Sequence, residues 1–185
     1  EDLAYYIMLA MEEIVYSFIG KEDKDEAMAF ILDMVKTPGN QYSYTNGWII
    51  EMYGWAAGGA IVYDGGKLHE LRKPIEDKIL LKYGLAFQAE DETQNGEYYI
   101  DCIGVNSGHQ GKGIGGQLLI FLIHEYVTNQ KQTLGLLVEK DNPKAMRLYM
   151  KLGFKIKGEK TLTGKSMYHL QISPKIQTYK TISYI

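Results

Sequence analysis

Cysteine is nearly absent: the 185-residue chain has one, Cys102, alongside only four prolines and two tryptophans. A lone cysteine excludes an internal disulfide and any cysteine-based metal cluster. It fits a reducing compartment, so a cytoplasmic location is expected. Long apolar runs are missing too. None approaches the roughly 20 residues that span a bilayer, and no signal-peptide pattern is present. Charge of one sign is equally lacking. Lys and Arg total 20 against 23 Asp and Glu, a net −3, so neither nucleic acid nor a membrane is an expected partner. Nothing is spaced like a metal site, and no metal is expected. The length suits one domain with a sizeable core.

What the chain does have is ordered punctuation. "EDLAYYIMLAMEEIVYSFIG" places Leu3, Ile7, Ala10, Met11, Ile14 and Phe18 at helical spacing, with Gly20 as a stop. "KDEAMAFILDMVKTPGN" repeats the pattern up to Pro38-Gly39. Two strand-like runs, "SYTNGWIIEM" and "WAAGGAIVY", meet at a tight turn on Tyr53-Gly54. "KPIEDKILLKYG" reads as a helix with Pro74 near its first turn, and "AEDETQNG" as an exposed acidic loop. "EYYIDCIGV" is a strand whose alternation puts Glu97, Tyr99, Asp101, Ile103 and Val105 on one face. "GQLLIFLIHEYVTNQ" is an apolar helix, "QTLGLLVEK" a buried strand and "NPKAMRLYMKLG" a short helix. A hairpin about Thr163-Gly164 follows. The tail, residues 175–185, suits an extra edge strand, a homodimer contact or disorder. This order predicts one mixed α/β domain over residues 1–174, its parallel part confined to residues 97–140.

Between strand and apolar helix lies "SGHQGKGIGGQLL", with five glycines in residues 108–116. Gly111, Gly113 and Gly116 satisfy the dinucleotide fingerprint, with Glu139 at the end of a later strand. The placement argues against it. In that motif the first glycine ends the strand directly, whereas here Asn106 and four further residues intervene. A Walker loop fails because Gly113 is followed by Ile114. The other reading takes residues 110–115 as a cradle. Its glycines let successive amides converge on an anion at a helix N-terminus, and Lys112 adds charge.

That stretch resembles the Q/R-x-x-G-x-G/A signature of the GNAT superfamily of N-acetyltransferases. "DNPKAMRLYMKLGF" is similar to the same family's N-x-x-A-x-x-x-Y-x-x-x-G-F segment, matching at Asn142, Ala145, Tyr149, Gly153 and Phe154. The spacing can be read independently. Asp141 or Asn142 suits a helix cap, Pro143 the first turn and Gly153 the exit, with Asn142 and Tyr149 on one side. The family usually opens with a short strand of I-R-x-A type; this sequence starts at the helix, so that strand is expected to be absent or lost with a missing N-terminus.

The resemblance implies a mostly antiparallel sheet with a central, splayed parallel pair and flanking helices. It implies acetyl-CoA as co-substrate and direct attack by a primary amine, carried by a small molecule or a peptide. Coenzyme binding would fall to Ile103, Gly104 and Val105 in the splay, to Gln110, Gly111, Lys112, Gly113, Ile114, Gly115 and Gly116, and to Asn142. Tyr149 would protonate the departing thiolate. Glu97 matches the position of the base that deprotonates the amine in several relatives, with Asp101 as second candidate. Cys102 is expected to be packed rather than nucleophilic, and His109, His124 and His169 to be structural or surface residues. The acceptor would be set by residues 5–34, 67–95 and 158–169, where Glu12, Glu13, Glu76 and Asp77 suit a cationic amine. A catalytically silent acyl-CoA-binding module of the same fold is the alternative.

Overall fold

The computed structural model describes residues 1–87 and 89–175. Helices α1 (Asp2–Ile19) and α2 (Lys24–Lys36) precede the hairpin of β1 (Gly47–Met52) and β2 (Trp55–Asp64). Then come α3 (Leu68–Tyr83), β3 (Tyr98–Val105), α4 (Ile114–Leu122), β4 (Leu134–Glu139), α5 (Pro143–Lys151), β5 (Lys155–Leu162) and β6 (Lys165–Ile172). Helix α4 runs on into a wider, π-helical stretch, Ile123–Asn129. Residues 176–185, most of the tail expected as an edge strand or dimer contact, lie outside the described residues. Among the described residues no single helix is long and apolar enough to cross a membrane.

The strands form one sheet in the order β1-β2-β3-β4-β6-β5, and β3–β4 is its parallel pair. Both expected hairpin turns are present. Tyr53-Gly54 and Thr163-Gly164 take positive φ, 53° and 80° in the first and 49° and 75° in the second, the twist that matches flanking strands. One sheet face packs on α1, α2 and α3 through Phe18, Phe30, Ile61, Tyr63 and Ile75. The other packs on α4 and α5 through Leu118, Leu122, Leu136, Phe154 and Leu170.

Three expectations need correction. Helix α3 starts at Leu68, so Pro74 stands inside it rather than near its first turn. Pro74 has no N–H for the Glu70 carbonyl. The helix continues regardless because Leu68, Arg72, Ile75 and Ile79 share one buried stripe. The loop at residues 89–96 is not wholly exposed either, since Glu92 and Thr93 are buried.

The third correction shapes the site. In the β2–β3 ladder Ile61 faces Cys102 and Val62 faces Ile100, so Asp101 is an extra residue without a partner on β2. This bulge breaks the alternation. Tyr99 and Cys102 join the core beneath α1–α3, whereas Ile100 and Ile103 pack toward α4 and α5. Parallel pairing with β4 stops at the same place. Only Tyr98, Tyr99 and Ile100 pair, with Leu134, Gly135 and Leu136. Beyond them β3 follows β2 and β4 follows β6, and the sheet opens.

Helix α1 crosses the sheet where β2 and β3 carry glycine. A Cβ on Gly104 would stand 2.6 Å from the Tyr6 carbonyl oxygen, and one on Gly59 would stand 3.1 Å from Tyr6 Cβ. Tyr6 also donates its hydroxyl to the Ala56 carbonyl, 2.7 Å away. Because its obstacle is backbone, Gly104→Ala must displace α1. It should cost roughly 1–3 kcal/mol, the range for overpacking a filled core. Urea unfolding should show a lowered midpoint with unchanged slope.

Candidate active site

A cavity of ≈ 470 Å³ passes through the opening between β3 and β4. It is bordered on the α5 side by Asn142, Ala145 and Tyr149, and on the α1–α3 side by Met11, Gln41, Arg72, Glu92 and Asp101. A cleft that reaches both faces of a sheet can bring two ligands end to end.

On the α5 side Asn142 caps the helix, its Oδ1 accepting from the Ala145 N–H at 3.1 Å. Tyr149, two turns on, is mostly buried and rests against Phe154. Its hydroxyl has no hydrogen-bond partner among the described residues. Burial raises its pKa above the ordinary phenol value, so it is a proton donor at neutral pH. Ile103 lines the cavity. Gly104 and Val105 continue the β3 edge that β4 has left.

The glycine loop lies at the end of that edge. Gly111 and Gly113 take φ of 77° and 83°, which glycine alone adopts readily, and a Cβ on either would meet open space. Gly113 opens α4 without a side-chain cap. The first amides of the helix, those of Ile114, Gly115 and Gly116 among them, thus lack intrahelical acceptors. Ile114 itself is core, so only its backbone is available. Gly115 sits against Val105 and Gly116 against Leu148, which seats the helix start between β3 and α5. Lys112 is exposed beside the loop. Gln110 is exposed and donates from Nε2 to the Val105 carbonyl at 3.3 Å.

Asp101 points from the bulge into the α1–α3 side. Its Oδ1 accepts from Gln41 Nε2 (2.9 Å) and the Tyr63 hydroxyl (3.1 Å). Glu92 Oε1 reaches the same two donors, at 2.8 and 3.0 Å. Tyr63 has one proton for two carboxylates, so it cannot satisfy both. Asp101 Oδ2 has no partner among the described residues. Arg72 pairs with Glu92. Burial first, then the charge of Glu92, pushes the Asp101 carboxyl up to about 7, while Gln41, Tyr63 and Arg72 restrain it. That value suits a group that takes a proton near neutral pH.

Glu97 is differently placed. It does not line the cavity, and its side chain is wholly buried. Its oxygens accept from Gln171 (2.7 Å) and Thr93 (2.8 Å) and lie 2.9 and 3.1 Å from His169 Nε2. The carboxylate covers Gly135, where any side chain would collide with it. Burial alone would raise its pKa, but donation from His169, Gln171 and Thr93 outweighs it and holds the group below the usual glutamate value. With every oxygen engaged, Glu97 ties the loop before β3 to β6. The position expected for a base is thus closed off from the cavity, whereas Asp101, the second candidate, lines it. His169 is correspondingly structural. Cys102 is buried, and that burial pushes its thiol well above the usual range, so it has no thiolate to attack with. Among the described residues no group of side chains could hold a metal ion.

Sequence reasoning missed Arg72, Gln41, Tyr63 and Glu92. Tyr63 was readable only as a strand residue, and the other three as ordinary helix or loop polar groups. Glu12, Glu13, Glu76 and Asp77, expected near the acceptor, are not among the residues that line the cavity.

The comparisons agree with this geometry. The profile of the Acetyltransferase (GNAT) family matches residues 16–154, and the chain belongs to that family. It is 30% identical over 86 residues to the spermine/spermidine N(1)-acetyltransferase of Bacillus subtilis (strain 168), a match covering 46% of this chain and 57% of that one. It is 35% identical over 82 residues to the mycothiol acetyltransferase of Corynebacterium aurimucosum, covering 44% and 26%. The matches therefore span about half or less of these relatives' length. A crystal structure of an acetyltransferase superposes with TM-score 0.78 at 26% identity, covering 94% of this chain and 93% of that one.

Glu97 generates a stability prediction. Its carboxyl is depressed in the folded state, so the stabilisation is present above the unfolded value of about 4.3 and is lost as pH falls through the folded one. Glu97→Gln should therefore cost about 1–3 kcal/mol at neutral pH, the range for a broken buried hydrogen-bond set. The deficit should narrow on acidification toward pH about 3. Unfolding curves at the two pH values read this directly.

Proposed function

We propose that the chain, as one domain over residues 1–174, transfers an acetyl group from acetyl-CoA to a primary amine by direct attack. The observation that carries this is the position of two titratable groups in the cavity. Tyr149 lies on the α5 side of the opened sheet and Asp101 on the α1–α3 side.

The residues fit the coenzyme. Space stands open above Gly111 and Gly113, and uncapped amides begin α4. These amides, with Lys112 and the turn from Gln110, would hold a pyrophosphate, the helix dipole adding to the attraction. The edge of β3 from Ile103 to Val105, unpaired toward β4, would offer its backbone to the pantetheine amides, with Asn142 facing the same arm. Acetyl-CoA supplies an activated acyl group on a thiol leaving group.

Each step then has a residue. Asp101 takes a proton from the incoming ammonium, through the oxygen that no protein group occupies. Gln41 and Tyr63 hold its other oxygen and fix its direction. Tyr149 gives its proton to the departing sulfur. Apolar side chains such as Phe18 and Ile79 also line the cavity, and a lowered local dielectric strengthens the electrostatics of each transfer. A silent module would not need an unpartnered carboxylate opposite a free phenol. Transfer is the reading both groups support.

Thiol release from acetyl-CoA over a panel of amines tests the proposal. The profile of kcat/KM should rise with pH through about 7 as Asp101 ionises. Asp101→Asn should lower kcat by roughly 10²–10⁴-fold and abolish that limb. Tyr149→Phe should give a similar fall in kcat with coenzyme affinity preserved. A limb that survives in Asp101→Asn would move the base elsewhere, and full kcat in Tyr149→Phe would reduce Tyr149 to packing.

Gly113→Val should abolish coenzyme A binding in calorimetry while the protein stays folded. The side chain would occupy the cradle and would be strained at φ 83°. Unchanged affinity would remove the cradle.

A further inference from the structure

Resting on the acetyl-transfer reading, the geometry points to an acceptor that is a small monoamine on an apolar aryl or alkyl body, and not a polyamine. Three sets of observations combine.

The first is charge. Glu92, Asp101 and Glu139 are the carboxylates that line the cavity. Glu92 is taken by Arg72, and Glu139 by Lys165 at 2.8 Å. Asp101 has no cationic partner among the described residues, and its Oδ2 has no partner of any kind. The cavity thus offers one place for one ammonium. A second or third ammonium on the same molecule would enter unpaired, against the cost of burying an uncompensated charge.

The second is the wall. On the α1–α3 side the lining beyond Asp101 is Met11, Ile14, Phe18, Ile75, Ile79 and Phe87. Helix α1 leaves helical geometry at Met11 (φ −145°, ψ 33°), and Ala10, Met11 and Ile14 around the break face the cavity. Such a surface gains free energy by covering rings or methylenes.

The third is closure. Arg72 holds residues 89–92 over the chamber, donating to the carbonyls of Ala89 and Glu90 at 3.2 Å each while pairing with Asp91 and Glu92. The tip of the β5–β6 hairpin is bonded to the same segment. Thr163 N–H donates to Glu90 Oε2 at 3.2 Å, and Lys160 Nζ donates to the Asp91 carbonyl at 2.9 Å. Roof and hairpin are thus joined over one side of the chamber, which narrows it against an extended chain. A small acceptor fits such a chamber, which is only one side of a cavity of ≈ 470 Å³.

The test uses the whole chain with 2-phenylethylamine, n-hexylamine and spermidine. Calorimetry on the coenzyme A-loaded protein measures binding, and thiol release measures turnover. The apolar amines should bind at least about tenfold tighter than spermidine and show a kcat/KM higher by at least the same factor. Phe87→Ala should raise KM for 2-phenylethylamine several-fold and leave spermidine unaffected. Ile14→Ala serves as a second variant, with the same expected pattern. Preference for spermidine, equal affinity, or no binding of either apolar amine overturns the inference. Tight, selective binding of apolar amines with no thiol release from any of them sinks the transferase reading and leaves the acceptor chamber standing.

Discussion

A single extra residue in β3 governs the architecture of the site. With Asp101 unmatched on β2, the strand re-aims its side chains, and its pairing with β4 ends one residue earlier, at Ile100. The bulge leaves Asp101 on the α1–α3 side with Tyr99, returns Cys102 to that same side, and lies where the sheet comes apart. A regular ladder would have sent Ile103 toward Tyr99, away from the α5 side that it now lines. The gap and the re-aiming of Cys102 and Ile103 thus coincide at one irregularity in the backbone.

Around that acid, the protein distributes charge unevenly. Glu92 is buried but answered by Arg72, and Glu97 is buried but answered by His169, Gln171 and Thr93. Asp101 shares two donors with Glu92 and keeps one oxygen free. Buried carboxylates that are fully engaged hold segments in place. The one left incompletely engaged has its pKa raised, where Glu97's is lowered. Two acids four residues apart in sequence, Glu97 and Asp101, end in opposite roles because their surroundings differ.

What the sequence disclosed followed from how local each signal is. The turns at Tyr53-Gly54 and Thr163-Gly164, the stop at Gly20 and the Asn142 cap each depend on a few neighbouring residues. The glycine loop and the spacing of Asn142 from Tyr149 were readable for the same reason. The surroundings of Asp101 were not. They depend on Tyr63, 38 residues away, and on Gln41, 60 residues away. Strict alternation favoured the wrong face for Ile103, since a bulge leaves no mark in a strand of branched and aromatic residues. Residues 89–96 looked solvated because their neutralising cation, Arg72, stands on another element.

The parallel contact that joins β1-β2-β3 to β4-β6-β5 is only three residue pairs long. The sheet is in effect two antiparallel blades joined by a short seam, with the cavity wedged between them. Any molecule seated there touches both blades and is bound by the assembled form alone. By mass action such a molecule adds about 2.7 kcal/mol to folding stability at a hundredfold excess over its dissociation constant. The resistance of this protein to heat and proteolysis is therefore set in part by the concentration of its own ligand in the surrounding solution.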